Sequence, residues 1–525
     1  MHTTVDKALF TSAQSQLLDR VLIEKLGIQS KLLMAKAAYA CFSKVESIAR
    51  KKECDSIKIT VVVGAGNNAG DGFMIAALAK MANMDVSLIM LFEKEKLTED
   101  ASYMYQHAKS LSVPVFDIES LGWDALSGYL KGSDIIVDAI FGTGLNREVS
   151  GVCQRVIECI NNTKRYTLSV DVPSGINATT GSVMGQAVHA DMTVVLLCKK
   201  IGLYMAKASS YTGELIFAPL VMDENYQKAL DVAEIKPAAK LLTKEALFPM
   251  WAFNKHSQSI SKIDKGHIGI IAGDKSMAGA AIMASKAALT LGAGRVSLFT
   301  HPEHAALINI SYPEIMCYGV DDLDRYGQTI EQLDVLAVGP GMLKTNPWSQ
   351  AMVAALKKHN KPMIVDAGAL DLMVDFLADK NDIVITPHEG EAARILDCAS
   401  REIQQNRLKA VYDLSDKLAC HVLLKGKGTL VYDHQNKALS LCDKGAQVLA
   451  TAGSGDVLTG MIAGIYGGCK SLIDAASIAI FIQGEASEYY VKEKGVFGFC
   501  ALDILPFVSE VINSYLSQNK LDSAK

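Results

Sequence analysis

Short, continuous apolar runs separated by segments of helical length constrain the fold of this chain more than any other feature. In its first part the runs are IKITVVVG, DVSLIMLF, DIIVDAIFG, YTLSVDVP and MTVVLLC. Runs without an in-and-out alternation are typical of strands covered on both faces, and hence of parallel sheets with helices on each side. The sequence therefore predicts an α/β protein that begins with a doubly wound parallel sheet.

This alternation stops between about residues 223 and 262 and then restarts. The intervening segment has no strand-like run, two prolines and mixed charge, so we place a domain boundary near residue 235. The predicted domains are residues 1–230 and 236–525. Ahead of the first strand, LLDRVLIEKLGIQSKLLMAKAAYACF predicts two helices broken near Gly27. The later strand runs are GHIGIIAG, GRVSLFT, DVLAVGPG, PMIVDAG, DIVITPH, HVLLKGKGTLVYD and ALSLCD, before a long small-residue helix from GSGDVLTGMIAGIYGG.

The composition argues against several classes of partner. The formal net charge of -5 provides no basic surplus for nucleic acid or an anionic membrane. The eleven cysteines form no C-x-x-C pair, which is typical of reduced thiols in a cytosolic protein. The N-terminus lacks the features of a signal peptide, and no uncharged apolar stretch reaches the roughly 18 residues of a spanning helix. We therefore expect a cytoplasmic protein without nucleic-acid or membrane partners.

Acidic, amide and hydroxyl side chains follow three predicted strands of the first domain. They lie in GAGNNAGDG (64–72), VDAIFGTGLNRE (137–148) and VDVPSG (170–175). Ligands bind beyond the carboxyl ends of the strands in an open parallel sheet, so these stretches are expected to meet at one site. Asn68, Asp138 and Ser174 together offer hard oxygen atoms to a simple cation. Taken alone, Asp138 and Asp171 are more simply explained as caps of the turns that follow them, and Ser174 as the cap of a helix.

A dinucleotide-binding dehydrogenase is an alternative interpretation of the first glycine loop. Gly64 and Gly66 allow a tight turn, and Glu93 at the end of the next strand is placed to hold a ribose hydroxyl. However, the third glycine is displaced to Gly70. Asp71 also falls in the first turn of the helix, where its charge repels a bound phosphate. These departures weaken the dehydrogenase interpretation.

GNNAGDG, VDAIFGTGL and VDVPSG together resemble the epimerase domain of the NAD(P)H-hydrate repair enzymes, over roughly residues 10 to 215. Those domains interconvert the epimers of NADH and NADPH that have gained water at the sixth position of the nicotinamide ring. The resemblance implies a Rossmann-like fold, Asp171 as catalytic acid or base, and a potassium ion held by Asn68, Asp138 and Ser174. The implied substrate contacts are Asn67, Asn68, Ala69, Gly70, Asp71, Gly142, Thr143, Gly144, Leu145, Asn146, Arg147, Glu148 and Asp171.

Two stretches depart from the pattern of these epimerase domains. Where these domains usually read NNGGDG, this chain has Ala69 in place of one glycine, and alanine has less backbone freedom than glycine. The early helix, usually close to LMENAG, reads LMAKAA and lacks the Glu and Asn. The sequence does not tell whether these changes reduce epimerisation.

In the second domain, ATAGSGDVLTGMIAG (450–464) places small residues directly before an apolar helix. Amides from Ala452 to Gly455 are expected to face one oxyanion, with Asp456 in reach of it. An anion cradle beside a base is what phosphoryl transfer requires. No G-x-x-x-x-G-K-[ST] occurs, so the stretch is not a Walker loop. A lone GSGD is also explained as a helix start whose aspartate stabilises the helix dipole.

Further loops at predicted strand ends are GDKSMAGAAIMASKAAL (273–289), GPGM (339–342), VDAGAL (365–370), TPHEGE (386–391) and KGKGT (425–429). The whole set resembles the dehydratase domain of the same repair enzymes, a relative of the ribokinase-like kinases, over roughly residues 240 to 510. In VDAGAL, Gly368 replaces the second aspartate of the commoner DADAL, which weakens any metal role for that loop.

The resemblance implies a ribokinase-like α/β domain in which Asp456 is the general base, and a magnesium ion that Glu391 would bind through water. The implied contacts to the hydrate are Ala281, Gly341, His388 and Asp456. The implied contacts to the nucleotide are Lys425, Gly426, Lys427, Gly428, Thr429 and Gly455.

Together the two resemblances span nearly the whole chain and imply a bifunctional enzyme. One domain would exchange the R and S epimers of hydrated NADH and NADPH (NADHX and NADPHX), and the other would dehydrate the S epimer. The implied phosphoryl donor is ADP or ATP, with ADP usual in prokaryotic fused versions, and the implied assembly is a homo-oligomer.

Two alternatives remain open. A ribokinase-like kinase of a vitamin-type small molecule, fused to a dinucleotide-binding domain, would leave a stable phosphorylated product. A non-catalytic N-terminal binding module would leave the epimer ratio unchanged.

Overall fold

The computed structural model describes residues 7–51, 57–251, 261–380 and 382–522. The chain divides into two compact units, Met1–Lys240 and Leu241–Lys525, called here the N-terminal and C-terminal units. Within the described residues, no helix is both long enough and apolar enough to cross a membrane. No disulfide links the ten cysteines that the structure describes.

The elements of the N-terminal unit follow the predicted alternation. Its strands are β1 (Ala8–Phe10), β2 (Lys58–Val63), β3 (Asp85–Met90), β4 (Val115–Asp117), β5 (Ile135–Ala139), β6 (Tyr166–Val170), β7 (Met192–Leu196), β8 (Lys199–Lys200) and β9 (Glu214–Ala218). Its helices are α1 (Ser12–Glu24), α2 (Ser30–Lys51), α3 (Asn67–Met81), α4 (Glu99–Ser110), α5 (Ile118–Leu121), α6 (Trp123–Gly132), α7 (Gly151–Thr163) and α8 (Asp223–Val232). Short 3-10 helices span Lys94–Lys96, Ile201–Tyr204 and Ala206–Ser210.

Seven strands of this unit form one parallel sheet in the order β4-β3-β2-β5-β6-β7-β9. The order reverses between β2 and β5, as in a Rossmann-like doubly wound sheet, and ligands bind in the crevice at that point. The residues of β5 and β7 are buried along their whole length, as the continuous apolar runs predict. The predicted break between the first two helices contains Gly27 in the left-handed region, at φ 71°.

The C-terminal unit has strands β11 (His267–Ile271), β12 (Arg295–Thr300), β13 (Met316–Gly319), β14 (Val335–Val338), β15 (Met363–Val365), β16 (Ile383–Ile385), β17 (His421–Leu424), β18 (Thr429–Asp433) and β19 (Ala438–Cys442). Its helices are α9 (Lys244–Trp251), α10 (Ala278–Thr290), α11 (Pro302–Ser311), α12 (Gly327–Glu331), α13 (Pro347–Leu356), α14 (Gly368–Met373), α15 (Glu389–Leu396), α16 (Ser400–Gln405), α17 (Arg407–Leu418), α18 (Ser454–Cys469), α19 (Leu472–Lys494) and α20 (Ile504–Asp522). Short 3-10 helices span Leu323–Tyr326, Leu377–Asp379, Gln447–Leu449 and Ala501–Asp503.

The sheet of this unit runs in the order β13-β12-β11-β14-β15-β16-β17-β18-β19. It is parallel up to β17, and β18 and β19 continue it as antiparallel strands. Helices α10 and α18 pack tightly at Gly460, where a Cβ would lie only 2.0 Å from the carbonyl oxygen of Ala284 and any larger residue would separate them. The strand order reverses between β11 and β14, so the loops after these strands flank the second predicted crevice. The α/β class of both domains is confirmed.

Some short strands were not predicted. The segment expected to lack strands contains β10 (Ala239–Leu241), which pairs antiparallel with β1, and also α8 and α9. Residues 252–260 of that segment lie outside the described part of the chain. Lys240 is exposed at the centre of β10, so these three residues carry no continuous apolar run. The half-buried strands β4 and β9 at the ends of the sheet were not predicted either.

Candidate functional site

A cavity of about 1010 Å³ lies at the carboxyl ends of β2, β5 and β6 in the N-terminal unit. Its wall includes every predicted epimerase contact except Ala69, Gly70 and Glu148. The loop after β5 forms one side of the cavity and is fixed by α1, where the Ser12 hydroxyl donates to the carbonyl oxygen of Thr143. The predicted contacts therefore come together from separate strand ends.

The three predicted contacts outside the wall of the cavity, Ala69, Gly70 and Glu148, lie in different parts of the unit. Ala69 is fully buried in the first turn of α3, where a right-handed backbone suits alanine, so this substitution requires no special conformation. A Cβ at Gly70 would lie 2.5 Å from Sδ of Met34, so this glycine permits close packing of α3 on α2. Glu148 lines a neighbouring cavity of about 380 Å³ together with Glu93.

Asp138 and Ser174 form a buried hydrogen-bonded pair beneath the cavity. Ser174 donates to Asp138 twice, from its hydroxyl to Oδ1 at 2.5 Å and from its main-chain N–H to Oδ2 at 2.9 Å. The Ser169 hydroxyl donates to Oδ2 at 2.8 Å. Burial raises the pKa of Asp138, and these hydrogen bonds oppose that rise. Ser174 lies in a turn, so the alternative that it caps a helix is wrong.

Asn68, the third predicted cation ligand, faces the same turn. The Phe141 N–H donates to the Ser174 hydroxyl at 2.8 Å, and a Cβ at the next residue, Gly142, would lie 3.4 Å from the amide carbon of Asn68. All three predicted ligands therefore surround the turn that follows β5. Among the described residues, the buried Nδ2 of Asn68 has no hydrogen-bond partner.

Asp171 forms a buried ion pair with a residue that the sequence analysis did not identify. Lys200 on β8 is only 1% exposed, and its ammonium donates to Oδ1 of Asp171. The same ammonium donates to the carbonyl oxygen of Leu196 at 2.6 Å, while the Leu196 N–H donates to Asp171 at 3.0 Å. Asp171 itself has φ 67°, a conformation that aspartate tolerates better than most residues.

Asp71 is a second aspartate in the wall of the cavity. Burial, then the charges of Asp171 and Asp19, raise its pKa well above that of a free aspartic acid, and Lys200 opposes the rise. Burial also raises the pKa of Asp19, again against the charge of Lys200. The cavity thus combines an ion-paired carboxylate with two carboxyl groups whose pKa values are raised.

Lys200 was missed although the sequence contains a signal for it. It follows the run MTVVLLC, and the rule used for the other strand ends applies equally to the end of β7. Asp19 lies on α1, before the sheet begins, and no pattern in the sequence indicates it. Lys36 replaces the usual Asn of the early helix, is exposed, and donates to the carbonyl oxygen of Leu220 at 3.3 Å.

In the C-terminal unit, Lys425 lies at the centre of a second charged cluster at the strand ends. Its ammonium donates to Oδ1 of Asp366 at 2.8 Å and lies 3.8 Å from Oε2 of Glu391. The Thr459 hydroxyl donates to the other oxygen of Asp366 at 2.9 Å. A Cβ at Gly455 would lie 3.4 Å from the same ammonium, so the GSGD turn abuts the cluster.

Asp456 follows that glycine in the first turn of α18. Burial raises its pKa from 3.8 to about 7, with a further rise from Asp366 and Glu391 and an opposing effect from Lys425. The carboxylates of the cluster raise the pKa of Lys425, although burial alone would lower it. Lys425 therefore stays charged, while Asp456 titrates near neutral pH, where a general base is most effective.

Five of the six predicted nucleotide residues, Lys425 to Thr429, span the hairpin loop between β17 and β18 and the first residue of β18, and the sixth, Gly455, lies in α18. Gly426 and Gly428 have φ values of 142° and 68°, which glycine adopts readily. The Thr429 hydroxyl donates back to the carbonyl oxygen of Gly426 at 2.9 Å. Lys427 reaches the carbonyl oxygen of Gly445 at 3.1 Å. The loop thus presents one partly buried lysine, Lys425, and one exposed lysine, Lys427.

The predicted hydrate contacts occupy neighbouring loops. His388 caps α15, since its Nδ1 accepts from the N–H of Gly390 at 2.9 Å, and Glu391 returns by accepting from the His388 N–H at 2.8 Å. Gly341 accepts from the N–H of Asp274 at 3.0 Å and so joins the loops that flank the second crevice. Ala281 is fully buried at the start of α10, where its role as a contact stays a prediction.

Metal binding in this unit finds limited support in the side chains. A Cβ at Gly368 would lie 2.1 Å from the carbonyl oxygen of Met342, so an aspartate does not fit here without a backbone shift. Glu391 faces Lys425 and caps α15. Over the described ranges, no three His, Cys, Asp or Glu side chains gather in a way that could hold a metal ion.

Comparisons with known proteins show that both halves of the chain are similar to one group of enzymes. Residues 30–202 match the family described as YjeF-related protein N-terminus, and residues 268–508 match the family described as NAD(P)H-hydrate dehydratase. The bifunctional NAD(P)H-hydrate repair enzyme Nnr of Coxiella burnetii is 33% identical over 505 residues, which cover 96% of this chain and 99% of that protein. The enzyme of the same name from Escherichia coli is 31% identical over 506 residues, covering 96% and 94%.

A solved structure resembles part of the chain. It is the ADP/ATP-dependent NAD(P)H-hydrate dehydratase from Bacillus subtilis co-crystallised with ATP and Mg²⁺, with 26% identity and a TM-score of 0.45. The similarity covers 52% of this chain and 98% of that one.

Proposed function

The chain belongs to the bifunctional NAD(P)H-hydrate repair enzymes, and we propose that its two units carry the two activities at separate sites. The protein epimerises hydrated NADH and NADPH, and it dehydrates the hydrate at the expense of ADP or ATP. One observation supports the assignment of sites above all others. In each unit an aspartate with a raised pKa, Asp71 or Asp456, lies near a lysine that is paired with a second carboxylate.

In the N-terminal unit, Asp71 and Asp171 divide the proton chemistry of epimerisation. Asp71, held protonated, donates to the ring hydroxyl as the C–O bond breaks and the ring nitrogen supplies the electron pair for a C=N bond. Water then adds to the opposite face and loses a proton to a carboxylate. Asp171, which is paired with Lys200, is the second carboxyl group, so that one gives a proton while the other accepts one. The loop from Gly142 to Arg147 supplies amides and one positive charge to the phosphates.

In the C-terminal unit, Asp456 accepts the proton of the ring hydroxyl while the oxygen attacks the terminal phosphorus of the nucleotide. The bond from that phosphorus to the rest of the nucleotide breaks, and amides at the start of α18 face the developing charge. The phosphorylated ring then releases inorganic phosphate and a proton from the adjacent carbon, which restores the double bond of NADH or NADPH. A site shaped for one hydroxyl orientation accepts only the S epimer. The epimerase therefore converts the remaining R epimer into the form that this site accepts.

A potassium ion fits the N-terminal site better than a magnesium ion fits the other. Rotation of the Asn68 amide by about half a turn would place Oδ1, a good potassium ligand, where Nδ2 has no partner. Asn68, Asp138 and Ser174 would hold the ion and fix the turn after β5. Any magnesium in the C-terminal unit would take most of its ligands from nucleotide phosphates and water, with Glu391 reaching it through water.

Potassium binding has a readout that does not involve activity. The melting temperature of the N-terminal unit should rise in potassium chloride relative to choline chloride of equal ionic strength, because a ligand that binds only the folded state stabilises it. Asn68→Ala should remove the difference. Equal melting temperatures in both salts for the wild type would exclude the cation site.

The decisive experiment mixes the protein with both epimers of NADHX and adds ADP or ATP in turn. We expect recovery of the reduced-nicotinamide absorbance from both epimers, with one inorganic phosphate released for each NADH. A stable phosphorylated product without recovered absorbance would favour the kinase alternative. An unchanged epimer ratio without nucleotide would favour the N-terminal binding module. ADP is the donor we expect, in a homo-oligomer of the cytoplasm.

A further inference from the structure

Arg407, at the start of α17, is a fully buried arginine that none of the proposed chemistry uses. Its exposed fraction is 0%. Nη2 donates to the carbonyl oxygens of Leu424 at 3.1 Å, Lys425 at 3.3 Å and Gly428 at 3.4 Å. Nη1 donates to Oε1 of Glu389 at 2.5 Å. One guanidinium thus holds three carbonyl groups of the nucleotide loop and one carboxylate of the neighbouring TPHEGE loop.

The backbone of the nucleotide loop lies directly on this guanidinium. A Cβ at Gly426 would lie 2.2 Å from Nη1, so no side chain fits between them. The peptide bond between Lys425 and Gly426 is trans, and its carbonyl oxygen points to the arginine. The N–H on the other side of the same peptide plane, that of Gly426, therefore faces away from Arg407. A fixed guanidinium consequently fixes the direction of an amide that a phosphate can use.

We propose that Arg407 is a positioning residue for the nucleotide. It holds the backbone of residues 424–428 in its binding conformation and, through Glu389, ties that loop to the His388 turn. This inference rests on the proposed role of the loop in binding ADP or ATP. Two glycines with positive φ give the loop little conformational preference of its own. Hydrogen bonds from Arg407, which lies outside the loop, hold it in one conformation.

The chemistry of the anchor requires arginine. A guanidinium presents five donors in a rigid planar fork, whereas a lysine ammonium presents three donors on a flexible stem. Lysine at this position would keep the charge near Glu389 but cannot reach all three carbonyl groups in the same geometry. Arg407→Lys is therefore a variant that separates the charge from the anchoring hydrogen bonds.

The test uses the full-length protein and compares Arg407→Lys with Lys409→Ala. Lys409 lies on the same helix, is exposed, and its ammonium forms an ion pair with Asp413, away from the nucleotide loop. For Arg407→Lys we expect the KM for ADP to rise on the order of 10- to 100-fold, the cost of a small displacement of binding groups. The KM for the hydrate and the rate of epimerisation should each change by less than about twofold. Lys409→Ala should leave all of these constants unchanged.

A second readout needs no nucleotide. Amide hydrogen exchange of residues 425–428 in the ligand-free protein should be faster in Arg407→Lys than in the wild type and unchanged in Lys409→Ala. If Arg407→Lys does not fold, Glu389→Gln, which keeps the arginine, should give a smaller rise in the KM for ADP and a smaller increase in exchange.

Several results would overturn the positioning role. They are an unchanged KM for ADP, an equal rise in the KM for the hydrate, or wild-type amide exchange in the folded variant. Failure of the wild type to use ADP or ATP would instead overturn the proposed function. The exchange measurement would still decide whether Arg407 holds the loop.

Discussion

Replacing Asp456 with asparagine should stabilise the C-terminal unit at the same time as it abolishes dehydration. Burial, followed by the charge of Asp366, raises the pKa of Asp456 to about 7. At pH 8 the enzyme therefore keeps an ionised carboxylate in a place that favours the neutral form. Asparagine has nearly the same shape and no charge, so the substitution removes both the general base and the cost of ionising it.

The size of the effect follows from the pKa of Asp456, 3.8 when free and about 7 in the folded protein. Each pKa unit corresponds to about 1.4 kcal/mol, so ionisation lowers the free energy of unfolding by at most about 4 kcal/mol at pH 8. The folded pKa already includes the interaction of the carboxylate with the helix N-terminus, so this interaction is not subtracted again. We therefore expect a gain of up to about 4 kcal/mol at pH 8.

The pH dependence has a definite sign because the folded pKa lies above the unfolded one. Below a pH of 3.8 the carboxyl group is protonated in both states of the wild type, so the substitution gains nothing there. As pH rises to about 7 the unfolded chain releases its proton first, and the wild type progressively loses stability relative to the variant. Above that pH the difference is constant.

Calorimetry at pH 8 and pH 5 tests this reasoning, with the melting of the N-terminal unit as an internal reference. The C-terminal transition of Asp456→Asn should shift upward by about 6 °C or more at pH 8 and by about a third of that at pH 5. Asp474→Asn, in the first turn of α19, is the matched control and should bring no gain. Equal melting temperatures of Asp456→Asn and the wild type at pH 8, or equal gains at both pH values, would refute the argument.

Three further outcomes are expected. The kcat/KM of wild-type dehydration should fall about tenfold for each pH unit below about 7 and level off above it, because Asp456 must be deprotonated; a flat profile from pH 6 to 8 would exclude this base. Asp171→Asn and Lys200→Met should each slow epimer exchange by about 100-fold or more while ADP-dependent dehydration of the S epimer continues; normal exchange would remove their assignment. Gly368→Asp should lower the melting temperature of the C-terminal unit, whereas Gly279→Ala, which meets nothing within 4 Å, should not.

The sequence was most informative where a strand is buried on both faces. The runs that became β2, β5, β7 and β11 are mostly apolar on both faces, with isolated polar residues such as Asp138, because helices cover both sides of a central parallel strand. Three-residue β10 carries no such run, and half-buried β9 carries only the short run LIFA. Their positions depend on which strands they pair with, and a local pattern contains no information about pairing.

The same limit applies to the two sites. The loop at 64–72 was identified because it follows a central strand, and the carboxyl ends of parallel strands meet at one edge. The stretch 450–464 was identified from small residues directly before an apolar helix. Lys200 was missed although it follows the run MTVVLLC, whereas Arg407 is recognisable only from the groups that surround it. Asp366 was seen in VDAGAL, but its contact with Lys425 joins residues 59 positions apart. Such contacts are products of the fold.

The two sites share one electrostatic arrangement, and it explains how each provides an acid or base at neutral pH. Burial raises the pKa of one aspartate in each unit, and a nearby lysine that pairs with another carboxylate opposes this rise only in part. Lys200 pairs with Asp171 while Asp71 keeps a raised pKa, and Lys425 pairs with Asp366 while Asp456 keeps one. In the proposed mechanism this aspartate gives a proton to the leaving hydroxyl in the N-terminal unit and takes one from the attacking hydroxyl in the C-terminal unit. Because a raised pKa suits either direction, the bond that breaks at the substrate, C–O or O–H, decides which way the proton moves.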